Sequence, residues 1–236
     1  MKLVYKKINV ANVSFFNLEL KRNAPEILGN KRKEGNNKGY VPLLKWKRGQ
    51  IPYVISRDVS PNMTKVILDA IKYWNVDFRN CIEWVPYKDE RDFVLFMQGP
   101  FCHSEVGRMK HMQLIVLNEA NCNETGFVLH EMMHTVGFIH EHNRPDRNNY
   151  IKILLLNIPY EWRKQYEKES LPIMEKLGPY DYYSLMHYEI KSPDRNKPAF
   201  QVVKNDVDVS KIGQRTGLSK IDKLKVKNLY CPSYLQ

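Results

Sequence analysis

His130-Glu131-Met132-Met133-His134-Thr135-Val136-Gly137-Phe138-Ile139-His140-Glu141 is the stretch on which the rest of the chain turns. His130 and His134 are four residues apart, so on a helix their imidazoles project from one face, one turn apart, where both can reach a single zinc ion. Glu131 lies between them and is free to act on a water at that ion. Gly137 can take the left-handed conformation that ends a helix, which turns the chain back and brings His140 to the same point from a third direction. Three neutral imidazoles leave a fourth position open, the layout of a catalytic zinc rather than a closed structural one. A histidine pair with a glutamate between them also arises by chance; the added glycine and third histidine favour the metal site.

About fifty residues further on, Ser184-Leu185-Met186-His187-Tyr188 offers a candidate methionine turn, the second mark of the same pattern. The run HEMMHTVGFIHEHNRPDRNNY from His130 to Tyr150, taken with YDYYSLMHY from Tyr180 to Tyr188, resembles the astacin family of secreted zinc endopeptidases. The resemblance extends from Ile51-Pro52-Tyr53 to Asn228-Leu229-Tyr230-Cys231. It implies an α+β metzincin catalytic domain: an N-terminal twisted mixed sheet with two long helices, a less regular C-terminal subdomain, and an active-site cleft between. It also implies one Zn(2+) per chain held by His130, His134 and His140, with Glu131 as general base. Tyr188 would be a further ligand in the resting enzyme, swinging away to bond the oxyanion; a packed core tyrosine is the alternative. Met186 would form an apolar floor beneath the histidines. Glu141 resembles the buried carboxylate that receives the amino terminus freed by propeptide removal, since a buried charge requires a partner. His142 and His187 lack ligand spacing and are expected to be structural.

The 236 residues, 43% hydrophobic and 27% charged, can build one compact domain with a full core. No run of eighteen or more apolar residues occurs, which excludes a spanning helix of ordinary length. The start, MKLVYKKINVANVSFF, has too short an apolar core for a signal peptide. Because the family is secreted, the true amino terminus is expected to lie upstream. Four cysteines allow three pairings, and the sequence alone does not choose among them; free buried thiols are the alternative. The resemblance implies Cys81 with Cys231 and Cys102 with Cys122. Asn12-Val13-Ser14, Asn62-Met63-Thr64 and Asn123-Glu124-Thr125 are glycosylation triplets that permit a secretory route. The net charge of +11 is scattered, without a basic stripe interleaved with aromatics, so a nucleic-acid partner is not expected. Such a surface could still concentrate the protein on acidic matrix or glycans.

Residues 1–22 match nothing in the resemblance, and Lys21-Arg22 before Asn23-Ala24 looks like the family's boundary between propeptide and mature enzyme. The expected division is a propeptide remnant at 1–22, extending to 38 under the alternative boundary, and a catalytic domain at 23–236. Lys31-Arg32-Lys33 marks an inserted loop or an alternative cleavage site. The family's propeptide usually carries a zinc-capping aspartate in Phe-x-Gly-Asp, a motif this chain lacks. Ile51 to Ser56 reads as a strand, with Pro52 better suited to its start than its middle. Pro61 after Ser60 starts a helix whose Val66, Ile67, Ala70, Ile71 and Trp74 fall at helical spacing. Ile82 to Tyr87, Asp92 to Gln98 and Leu114 to Leu117 read as strands. Ile158 to Ser170 and Ser219 to Tyr230 read as helices, the first amphipathic.

Cys102-His103-Ser104-Glu105-Val106-Gly107-Arg108 resembles the edge strand that aligns an extended substrate above the zinc, since an edge can add a peptide as a further strand. The family usually has aromatics in this segment; His103 and Glu105 point to a changed subsite, with Glu105 favouring basic residues on one side of the cut bond. Arg144-Pro145-Asp146-Arg147 is expected to hold its turn by ion pairs, with Asn148-Asn149 where the family has an acidic pair. Arg215, in Ile212-Gly213-Gln214-Arg215, either lines the pocket just past the scissile bond, favouring acidic side chains, or is an ion-pair residue. The expected function is hydrolysis of peptide bonds in protein or peptide substrates. The alternative is a catalytically silent, zinc-stabilised peptide-binding protein, against which the retained Glu131 argues.

Overall fold

A computed structural model describes residues 43–194 and 197–231. The expected propeptide boundary at Lys21-Arg22, the second basic cluster and the triplet at Asn12 lie outside the described residues. Strand β1 (Gln50–Ile55) leads through Ser60 into helix α1 (Pro61–Asp77), and the chain then returns as β2 (Glu83–Pro86) parallel to β1. A helical crossover is the connection a parallel pair requires. Ser60 is the cap the sequence indicates: its Oγ accepts from the Met63 N–H at 3.1 Å. Strands β3 (Phe93–Gln98) and β5 (Met112–Leu117) continue the parallel sheet, and the short β4 (His103–Ser104) pairs antiparallel with β5. The order β2-β1-β3-β5-β4 leaves β4 on one edge.

Pro52 is a correction to the strand reading, because it sits inside β1, a central strand. It is tolerated there because the β3 ladder begins only at Tyr53, opposite Val94, while Pro52 is matched to Val85 on the β2 side alone. The missing N–H therefore falls where one ladder has not yet started.

Helix α2 (Thr125–Val136) packs with α1 on the sheet. Met63, Ile67, Ala70 and Trp74 of α1 share one core with Val128, Leu129, Met132 and Val136 of α2 and with Ile51, Val94, Phe96 and Ile115 of the sheet. Gly126 in the first turn of α2 has a packing reason: a Cβ there would lie 1.6 Å from the Arg215 carbonyl oxygen. The C-terminal part is less regular, with a second core around Ile151, Tyr166, Tyr180, Phe200 and Ile212 beside the pair β6 (Ile151–Ile153) and β7 (Phe200–Val202).

The helix expected over Ile158 to Ser170 is not an α-helix. It is a 3-10 segment over Tyr160–Tyr166, followed by extended chain and a five-residue helix α3 (Ile173–Leu177). A helix running to Ser170 would need the carbonyls of Gln165 and Tyr166 for the N–H groups of Glu169 and Ser170. Here Asn143 Nδ2 donates to Gln165 and Glu167, and Arg147 Nη1 donates to Tyr166. Trp162, which helical spacing would have faced inward, is 43% exposed.

Helix α4 (Lys220–Tyr230) opens on a capping box in which Ser219 and Asp222 satisfy each other's backbone N–H groups. It ends at Cys231, bonded to Cys81, while Cys102 is bonded to Cys122, the two pairings implied by the resemblance. The Cys81–Cys231 bridge closes a separation of 150 residues. Replacing both of its cysteines with alanine is expected to lower stability by about 4 kcal/mol through the freer unfolded chain. A denaturant midpoint equal to that of the parent protein would contradict this.

Candidate metal centre and active-site cleft

His130 and His134 lie on one face of α2, and Gly137 ends the helix at φ 116°, its N–H closing onto Met133 and His134 carbonyls. The chain then doubles back, and the Glu141 N–H donates to the Met186 carbonyl at 2.9 Å. This contact joins the third-histidine turn to Ser184–Tyr188. The result is a cluster of His130, His134 and His140 whose ligand atoms lie within 4.8 Å of one another. His140 Nε2 is 3.2 Å from the Nε2 of both His130 and His134.

The outer ring nitrogens show why this arrangement fits a cation. His130 Nδ1 lies 2.9 Å from the Leu185 carbonyl and His134 Nδ1 lies 2.8 Å from the Phe138 carbonyl. A carbonyl can only accept, so each Nδ1 carries the proton and each Nε2 presents a lone pair inward. A single N–H on His140 Nε2 could satisfy only one of these two lone pairs, whereas a cation among the three nitrogens satisfies all of them. Burial disfavours the charged imidazole, taking His134 down to about 4 and His130 and His140 well below their usual value. All three are therefore neutral, as metal ligands must be.

Glu131 is buried, and its Oε2 has no hydrogen-bond partner. Burial pushes its carboxyl up to about 8, while the charges of His103 and Arg215 pull it down. Tyr188 stands beside the histidines, its ring centroid 4.5 Å from that of His140. Burial raises its hydroxyl to about 12, so it is a neutral O–H donor at neutral pH. Met186 is buried in the main core, and its turn is held by Asp222, which accepts from Ser184 Oγ at 2.6 Å and from the Leu185 N–H at 2.8 Å.

Arg215 makes no carboxylate pair among the described residues, so its ion-pair reading is replaced by a different contact. Its Nη1 lies 3.1 Å from the Leu185 carbonyl, 3.2 Å from that of His187 and 2.9 Å from that of Gln214. It therefore shares the Leu185 oxygen with His130 Nδ1. His142 and His187 are buried and hydrogen-bonded within the fold: His142 Nε2 lies 3.1 Å from the Gln165 carbonyl, and His187 Nε2 lies 2.8 Å from Tyr180 Oη.

Glu141 finds its charge partners within the fold. Its Oε1 accepts from Lys225 Nζ at 2.6 Å, Arg144 Nη1 at 3.2 Å and the Asp181 N–H at 2.8 Å. Arg144 also forks onto Asp146, as the ion-pair reading of that turn expected. The amino-terminal partner expected for Glu141 lies outside the described residues, and within them Lys225, which sequence reasoning did not single out, supplies the closest cation. The signal was present: Asp222, Lys225, Val226 and Leu229 form the buried stripe of α4, and a lysine at an inward position calls for an acid.

A parallel-rich sheet carrying two helices, a three-histidine cluster at the end of the second helix and a methionine turn hydrogen-bonded to it define a metzincin-type zinc-peptidase domain. The model of the astacin peptidase family matches residues 40–231, and the chain belongs to the astacin family. It is 36% identical over 195 residues to the zinc metalloproteinase nas-13 of Caenorhabditis elegans, covering 81% of this chain and 42% of that protein. To nas-15 of the same organism it is 39% identical, covering 80% and 33%. The chain thus spans less than half the length of these curated relatives. Among solved structures, high choriolytic enzyme 1, a hatching enzyme zinc-protease from Oryzias latipes, superposes with a TM-score of 0.71 at 32% identity, covering 79% of this chain and 92% of that one.

Proposed function

We propose that this chain carries a zinc-dependent endopeptidase domain, with one zinc held by His130, His134 and His140. The observation that carries the reading is the set of converging Nε2 lone pairs, locked by carbonyls behind two of the rings, next to an unpartnered Glu131 carboxylate. When bound, zinc supplies a Lewis acid that polarises the scissile carbonyl and makes an attacking water more acidic. Glu131, whose carboxyl burial holds up at about 8, would be ionised by the charge of a cation in the adjacent histidine cluster, and as the carboxylate it would take the proton of that water and hand it to the leaving amine. Tyr188, kept protonated by burial, donates a hydrogen bond to the oxygen that gains charge. Arg215 and Asp222 position the turn on which His130 leans. The free edge of β4 lays out an extended peptide alongside these groups.

Residues 23–236 would form the catalytic domain after removal of the preceding segment, and the substrates would be proteins or peptides. Two disulfides support an oxidising, secreted setting. No helix among the described residues is long and apolar enough to cross a membrane. The chain's Asn62 and Asn123, on exposed positions, would be open to glycosylation.

Chelation followed by metal add-back tests the reading. Cleavage of a quenched peptide is expected to vanish with the chelator and return with one equivalent of zinc. Full cleavage by metal-free protein would refute it.

A further inference from the structure

Strand β4 and the residues after it are held to the helix beneath them at three points. Cys102 is bonded to Cys122 in the loop ahead of α2. Ser104 Oγ lies 2.7 Å from Thr135 Oγ1 of α2, and the Gly107 N–H donates to the His134 carbonyl at 2.8 Å. Successive side chains of an extended segment point to opposite sides. Ser104 is buried against α2, so His103 and Glu105 share the other side, and neither is used to hold the segment.

The two side chains face each other, His103 Nε2 3.9 Å from Glu105 Oε1, with 31% and 35% of their surfaces exposed. That gap is too long for a hydrogen bond, and His103 Nε2 is buried without a hydrogen-bond partner. Among the described residues the ion-pair partner of Glu105 is His103 alone. In a chain of net charge +11, Glu105, the residue after β4, has no lysine or arginine among its ion-pair partners in the described residues and is open to a cation from outside.

We propose that His103 and Glu105 form a subsite that takes a lysine or arginine side chain of an extended peptide, upstream of the bond that is cut. The inference rests on the peptidase reading above and names its substrate class. A peptide added along the free edge of β4 would direct alternate side chains toward the pair. A lysine ammonium or arginine guanidinium there gives Glu105 a charge-assisted partner in a partly dry pocket. Glu105 favours the protonated form of His103, so the incoming cation displaces the imidazolium from the carboxylate, and His103 accepts an N–H from that cation only after giving up its own Nε2 proton.

The test uses zinc-loaded full chain and matched peptides carrying lysine or norleucine at each of the positions upstream of the bond. At one position the lysine peptide is expected to show a kcat/KM about fivefold higher, the worth of a partly exposed ion pair. This ratio should fall to near one in Glu105→Gln and reverse toward a glutamate peptide in Glu105→Lys. Binding of the same peptides to Glu131→Ala, read by fluorescence anisotropy, reports the subsite without turnover. Lysine-dependent binding with no cleavage by the parent protein would refute the peptidase reading and uphold the subsite. A lysine preference absent from both assays, or unchanged by Glu105→Gln, would overturn the subsite itself.

Discussion

Glu131→Ala is expected to lower peptidase turnover by about 10²- to 10⁴-fold, the usual contribution of a positioned acid-base group, while one zinc per chain stays bound. The two halves of this result have separate causes. The metal is retained because the ligand nitrogens are aimed by contacts that do not involve Glu131: the Leu185 carbonyl behind His130, the Phe138 carbonyl behind His134, and the backbone turn at Gly137 that delivers His140. Turnover is lost because Glu131, adjacent to His130 in sequence, is a buried acid with an oxygen left unpartnered and so free to accept a proton. Metal analysis and peptide cleavage on the same preparation separate the two. A variant that cuts at the parent rate would mean another base, and a variant that loses its zinc would mean that Glu131 holds the ion.

The second large effect is on stability. Lys225→Met leaves the Glu141 carboxylate buried with Arg144 as its remaining cation, and removing one partner of a buried pair costs about 3 to 5 kcal/mol. Both side chains are almost inaccessible, at 3% and 6% exposure, so solvent cannot take over the lost contact. Adding Glu141→Gln should recover much of the loss, because an uncharged amide no longer demands the ammonium. The pH dependence has a defined sign. Burial raises the Glu141 carboxyl and Lys225 is the largest influence that lowers it, so the variant carries a carboxyl raised further above its ordinary value. A group raised in the folded state favours folding when protonated, and that stability is lost as pH rises through the raised value. The penalty of Lys225→Met should therefore be small in mild acid and grow toward neutrality. Equal penalties across that range, or a double variant as unstable as the sum of the two single ones, would contradict the pairing.

Much of the site was readable because its encoding is local. The i, i+4 histidines and the left-handed glycine act within one or two turns of chain, so His130, His134 and His140 converge in the structure as their spacing predicts. The Ser60 cap and the helix from Pro61 were readable for the same reason. The misreadings concern positions where distant segments compete. The periodicity of Ile158, Trp162 and Tyr166 is helical, yet Asn143 and Arg147 claim the carbonyls on which a helix would close. Pro52 looked unsuited to a strand interior, yet the neighbouring ladder starts one residue later.

By itself the sequence determined the histidine-bearing helix, the turn that follows it, the methionine turn and, through the resemblance these carry, the family. Tertiary structure decided which groups support them. Lys225 reaches Glu141 across 84 residues and Arg215 reaches Leu185 across 30. No local rule ranks such partners, because a buried carboxylate or a free carbonyl accepts whichever donor the packing of the whole domain brings within about 3 Å.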